Sequence, residues 1–191
     1  WTDRGIGPMT VAEIDPAVTQ AAAQDFWFDP ESVTVLHEDA RRALLIRPDT
    51  RYDVIVGDAF ADIAVPSHLV TQEFFQLVQD RLTPGGVFVM NVIDFEHRLE
   101  ALASIHQTLS QVFTNVEIWT EQRAPAPGQR LVFVLVASDS KSPVDSLVLP
   151  APDRKRFGVL SQRFEQSVLA GKEALILTDD YAPIDRLLGP G

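Results

Sequence analysis

The 191-residue sequence contains no cysteine. Disulfides, thiol nucleophiles and cysteine-ligated zinc or iron–sulfur centres are therefore excluded, whereas no cellular compartment is. Long hydrophobic runs are missing too. The longest wholly apolar stretch is the seven residues Leu131–Ala137, and a helix needs about 20 to cross a bilayer, so no membrane contact is expected from this chain. No basic segment ending in small residues opens the sequence, so no secretory leader is expected. Positive charge is scarce: 16 Lys and Arg stand against 27 Asp and Glu, a formal net charge of −11. Such a surface repels phosphate backbones, which argues against nucleic acid as a partner, and an acidic cleft would favour cationic small molecules. Most acidic proteins are simply soluble, so charge alone decides no more than this. The four histidines, His37, His68, His97 and His106, form no i,i+4 pair, and no metal site is expected.

What is present is a folded composition, 46% hydrophobic and 23% charged, suited to one globular domain over residues 1–191. Strands and helices alternate. Short β-type runs are predicted at Met9–Ile14, Val33–His37, Tyr52–Gly57, Val87–Val92, Val116–Thr120 and Leu131–Ser138. Helices are predicted at Ala17–Phe26, after Glu38-Asp39 through Leu45, at Leu69–Leu82 before the stop Pro84-Gly85-Gly86, and at Glu96–Phe113. Ser140–Pro152 reads as a polar connector, Arg156–Leu169 as a peripheral helix, and Phe26, Trp27 and Phe28 as packing residues. The pattern predicts an α/β, Rossmann-like fold. Its sheet would be mostly parallel, covered on both faces, and closed by an antiparallel pair of the last two strands.

In such sheets ligands bind beyond the carboxyl ends of the strands. Those positions are acidic here: Glu13 and Asp15, then Glu38 and Asp39, then Asp58, then Asn91 and Asp94. Any single Asp there serves equally well as a helix N-cap. The repetition over four consecutive strand ends is what favours a binding rim.

The segments Val11-Ala-Glu-Ile-Asp-Pro-Ala-Val18, Glu38-Asp-Ala40, Tyr52-Asp-Val-Ile-Val-Gly-Asp58 and Leu82-Thr-Pro-Gly-Gly86, in this order and spacing, resemble the spermidine synthase family. The ending Leu177-Thr-Asp-Asp-Tyr-Ala-Pro183 is similar to that of bacterial spermidine synthase-like proteins, some of them fused to membrane transporters. The resemblance implies a class I S-adenosylmethionine methyltransferase fold put to aminopropyl transfer, in a cytoplasmic homodimer. The donor would be decarboxylated S-adenosylmethionine, the acceptor a small amine such as putrescine, and no metal would take part.

Carried over by residue, the resemblance implies that Glu13 accepts hydrogen bonds from both ribose hydroxyls. Asp39 would receive the adenine amine beside the backbone of Ala40. Asp58 matches the catalytic aspartate, while Asp62 and Asn91 would line the acceptor side. An alkyl ammonium titrates near 10, so a carboxylate that binds it and takes its proton makes the nucleophile available.

The sequence also departs from the family pattern. The family runs Asp-Ser-Ser/Thr-Asp-Pro after the third strand, whereas here Asp58-Ala59-Phe60-Ala61-Asp62 sets the second Asp one place late, without proline. The loop Arg123–Gln129 lacks the Tyr that in the family helps hold the amine. The strand and glycine-rich loop that open this fold have no counterpart ahead of Met9, so the chain is expected to be a fragment lacking its first strand. Two alternatives stay open: an S-adenosylmethionine-dependent methyltransferase of the same fold, and a non-catalytic nucleoside-binding or regulatory domain of a longer protein.

Overall fold

The computed structural model describes residues 6–59, 65–122, 126–152, 154–161, 169 and 172–188. The chain divides into two compact units, Trp1–Thr50 and Arg51–Gly191.

In the first unit, β1 (Thr10–Ala12) pairs in parallel with β2 (Thr34–Leu36), Thr10 opposite Thr34. Between them α1 (Pro16–Asp25) starts at an Asp15 N-cap, whose carboxylate accepts the Ala17 N–H, with Pro16 in the first turn where no N–H is missed. After β2, α2 (Ala40–Leu45) starts at Asp39, which accepts the Arg42 N–H. Buried apolar surface is sparse: of the described residues in this unit only Ala43 is a buried hydrophobic. Phe26 and Trp27 are 72% and 96% exposed, so they do not pack within the unit as expected. α1 ends at Asp25, and Trp27 takes a left-handed φ of 54° just after it.

The second unit carries a six-stranded sheet in the order β3-β4-β6-β5-β8-β7. Its strands are β3 (Tyr52–Gly57), β4 (Leu82–Phe95), β5 (Asn115–Glu121), β6 (Arg130–Ser138), β7 (Ser146–Val148) and β8 (Arg156–Val159). Helices α3 (Gln72–Arg81) and α4 (Glu100–Leu109) lie between strands, and α5 (Ile184–Leu188) closes the described chain. β3 and β4 pair in parallel through the α3 crossover, and β5 and β6 form the expected antiparallel pair.

Two expectations need correction. The sheet is mixed rather than mostly parallel, because β4–β6, β5–β6, β5–β8 and β7–β8 are all antiparallel. Arg156–Val159 is a strand, not the start of a helix, since it hydrogen-bonds to the edge of β5 and is flanked by β7 from the supposed connector. The rest of that predicted helix, 162–168, lies outside the described residues.

The core explains the strand alternation. Phe88, Met90 and Val92 on β4 and Phe133, Leu135 and Ala137 on β6 point to one face, where Phe75 and Val78 of α3 and Leu102, Ile105 and Leu109 of α4 bury them. Among the described residues of this unit only that face is sealed. Val87, Val89 and Asn91 on the other face are half-buried, and Val54 and Val56 on β3 are exposed. Pro84-Gly85-Gly86 ends α3, yet it belongs to β4 as an irregularity. The register jumps from Tyr52↔Leu82 to Val54↔Val87 there, and Gly85 supplies a φ of +78°.

The C-terminal segment is laid on the helices by hydroxyl groups. Ser104 Oγ and Thr108 Oγ1 on α4 accept the N–H groups of Leu175 and Leu177, and the Leu177 carbonyl accepts the Gln72 N–H at the start of α3.

Candidate active site

The first unit places Glu13 and Asp39 just after its two strands. The Glu13 N–H extends the parallel ladder to the Leu36 carbonyl at 3.0 Å. Its half-buried carboxylate accepts the Asp15 N–H at 2.8 Å. A carboxylate offers about four acceptor positions, so this local bond leaves capacity for two hydroxyls. Asp39 Oδ1 caps α2 through the Arg42 N–H at 2.9 Å, and Ala40 is the first helical residue. Capping is thus observed for Asp15 and Asp39 alike. Glu38 is engaged otherwise, in ion pairs with Arg47 and Arg42.

In the second unit, Asp58 is exposed immediately after β3, and Asn91 reaches it from β4 with Nδ2 to Oδ1 at 3.2 Å. An ionised carboxylate only accepts, so the amide nitrogen must face Asp58 and the amide oxygen must face away. That oxygen, Asn91 Oδ1, is buried and has no hydrogen-bond partner among the described residues. Buried polar atoms in folded proteins are nearly always paired. This one has no donor among the described residues. Asp62 lies outside the described residues.

Asp94 departs from the rim of acids. It is 2% exposed and accepts the N–H groups of Phe95 at 2.7 Å and Leu102 at 3.1 Å. The N-cap residue of α4, Leu99, sits at a left-handed φ of 60° and has no side-chain cap to offer. Asp94 replaces it from the neighbouring strand. Burial raises its pKa above the usual Asp value, only partly offset by the Leu102 and Phe95 N–H groups.

One cluster was missed from the sequence. Glu96, directly after β4, accepts the Gly128 N–H through Oε1 at 3.0 Å and contacts His97 Nδ1 through Oε2 at 2.7 Å. Its own N–H donates to the Gln129 carbonyl at 3.1 Å. The Gly128 N–H, followed by the His97 ring, holds its pKa below the usual Glu value. The available signal was an acid at the end of the long strand β4, across from the glycine of the β5–β6 loop. Among the described residues no group of three His, Cys, Asp or Glu side chains could hold a metal ion.

A parallel β3–β4 pair with a helical crossover, a closing antiparallel β5–β6 pair and acids at the strand ends define a class I methyltransferase-like protein. Solved structures agree. A probable spermidine synthase from Corynebacterium glutamicum superimposes with a TM-score of 0.65 at 20% identity, over 86% of this chain and 62% of that one. Spermidine synthase from Thermotoga maritima gives 0.56 at 21% identity, over 71% and 46%.

The sequence model of the spermine/spermidine synthase domain matches residues 9–145. The chain belongs to that family. A curated relative from Bifidobacterium longum, named probable polyamine aminopropyl transferase, is 28% identical over 94% of this chain and 43% of its own length. The polyamine aminopropyltransferase of Aeropyrum pernix is 29% identical over 73% and 46%. This chain spans less than half the length of both.

Proposed function

We propose that the protein is an aminopropyltransferase that moves the aminopropyl group of decarboxylated S-adenosylmethionine onto a diamine such as putrescine. The observation that carries the reading is the Asp58–Asn91 pair: an exposed carboxylate at the end of β3, oriented by the Asn91 amide N–H, is an acceptor suited to an amine. A methyl acceptor that is not a cation would have no use for it. Family membership and the names of the relatives support the same chemistry.

The roles follow from the side chains. Glu13 binds the ribose hydroxyls, and Asp39 with the backbone of Ala40 binds adenine. Asn91 Oδ1 and Asp62 receive N–H groups of the acceptor. Asp58 takes a proton from the attacking ammonium. The freed nitrogen lone pair forms the bond to the carbon beside the sulfonium. The carbon–sulfur pair then returns to sulfur, and methylthioadenosine leaves. The sulfonium is itself the activated electrophile, so the step calls for no metal.

The finer readings belong with this one: residues 1–191 as one Rossmann-like domain, a homodimer, and a cytoplasmic site of action. No described helix is long and apolar enough to cross a membrane.

The test is product analysis with the full-length protein, supplying putrescine with either decarboxylated S-adenosylmethionine or S-adenosylmethionine. Spermidine and methylthioadenosine from the decarboxylated donor are expected. Methylated product, or nucleoside binding without any transfer, would replace the reading with one of its two alternatives.

A further inference from the structure

We propose that a second copy of this chain docks on β7, the outer strand of the six-stranded sheet, antiparallel about Leu147. The interface rests on the homodimer reading and not on the transfer chemistry. β7 ends the sheet, and no described strand pairs with its outer edge. The hydrogen bonds to β8 show which groups that edge presents. The Val159 N–H donates to the Asp145 carbonyl, the Leu149 N–H donates to the Lys155 carbonyl, and Leu147 stands opposite Phe157 in the same alternation. Residues 145, 147 and 149 thus turn their backbone groups toward β8, and Ser146 and Val148 turn theirs outward. An unpaired edge of this kind is a template for another strand. Both strands lie beyond residues 9–145, which match the family, so family membership alone does not account for the edge.

The edge is complementary to itself. About a two-fold axis at Leu147, Ser146 of one copy stands opposite Val148 of the other, and the two exchange N–H and carbonyl groups. Leu147 then meets Leu147 as a pair without hydrogen bonds, the kind that brings side chains closest. Leu147 and Val148 are 43% and 57% exposed, and Phe157 flanks Leu147 on β8, so an apolar row runs across both copies. Two residues along, Asp145 faces Leu149 of the second copy, beside which Lys155 of that copy stands. The axis therefore sets a carboxylate toward an ammonium on each side. Moving it to Val148 would put Ser146 opposite Pro150, which has no N–H to give. Charge favours the same place. From Lys141 to Val159 four basic residues stand against two acidic ones, in a chain whose formal net charge is −11. Two copies meet here without the repulsion that the acidic excess elsewhere would impose.

The experiment is sedimentation equilibrium of the full-length protein, comparing wild type with Leu147→Lys, Leu147→Glu and Val148→Pro, alongside melting temperatures. So short a ladder makes a weak dimer, so wild type should dissociate in about the micromolar range. Leu147→Lys and Leu147→Glu each set like charges face to face and should raise the dissociation constant about tenfold or more. Mixed in equal amounts, the two should associate more tightly than either alone. Val148→Pro removes an outward N–H, leaves the bonds to β8 in place, and should weaken the dimer as well. A wild type that is monomeric at every concentration would overturn the interface and the homodimer reading together. A dimer equally tight in all four proteins, or a Lys and Glu mixture no tighter than its components, would overturn the interface alone. So would loss of the dimer confined to variants that also melt lower.

Discussion

The two units fix their polar groups by opposite means. In the first, Glu13, Asp15 and Asp39 are held by short hydrogen bonds to backbone N–H groups two or three residues away, over a unit with one buried apolar side chain among its described residues. In the second, Asn91 is fixed because its strand is packed: Met90 and Val92 on either side are 1% exposed, and Val134 pairs across from it. A side chain that completes its own local turn is ordered with or without ligand. One held by a core can be left with an unmet hydrogen-bonding group, since the packing carries the cost. The difference predicts that changes in the first unit mix stability with binding, and that changes at Asp58 and Asn91 separate them.

The largest expected effect is at Asp58. Replacement by Asn keeps the size and the contact with Asn91 but removes the proton acceptor, so turnover should fall by about 10²-fold or more. Methylthioadenosine affinity should hold. Full activity in Asp58→Asn, measured by aminopropyl transfer, would reject the general-base role.

Glu13→Gln comes next. The amide retains an oxygen for the Asp15 N–H but accepts poorly from two hydroxyls at once. Methylthioadenosine binding should therefore weaken by about tenfold, the worth of one charge-assisted bond. Unchanged affinity in calorimetry would remove Glu13 from the ribose.

Asp94 should matter to folding and not to ligands. Asp94→Ala leaves the buried Leu102 N–H without a partner, at about 1–3 kcal/mol in urea denaturation. Its raised pKa adds a signed prediction. The fold favours the neutral acid, so that contribution is complete below the ordinary value of 3.8 and is lost as pH rises through the raised one. The stability of wild type relative to Asp94→Asn should decline with rising pH across that window. A difference that grows instead would show that the two N–H bonds outweigh burial.

The smallest effect is expected at Asp39. Asp39→Ala should cost the α2 cap about 0.5–2 kcal/mol, and Asp39→Asn nearly nothing. Stability that drops equally in both would mean the carboxylate charge, not the cap, is what the unit needs.

Much of the fold was legible because buried strands announce themselves. Tyr52–Gly57 was read to the residue, and β5 and β6 to within one. β8 was misread because Phe157, Leu160, Phe164 and Val168 recur at helical spacing. Gly158 was the contrary sign, since glycine inside a helix costs about 1 kcal/mol. In the strand it serves close approach: a Cβ there would run into the Gln122 side chain and lie 3.2 Å from the Asp145 carbonyl. The sequence also cannot tell a capping Asp from a rim Asp. Asp58 and Asp94 both follow runs of apolar strand residues, but Asp94 lies within β4 on the same face as the buried Phe88, Met90 and Val92, whereas Asp58 follows the end of β3 and is exposed. Glu96 escaped notice because its partner across the sheet edge is the Gly128 backbone N–H, which no pattern of side chains records.

The most direct test of the acceptor site is the orphaned amide oxygen itself. In Asn91→Leu, initial rates against putrescine concentration should show KM raised by about tenfold or more, with a melting temperature equal to or above wild type, because an unmet buried polar atom has been replaced by hydrocarbon. An unchanged KM together with a lower melting temperature would contradict the account, showing that Asn91 serves the fold and not the amine.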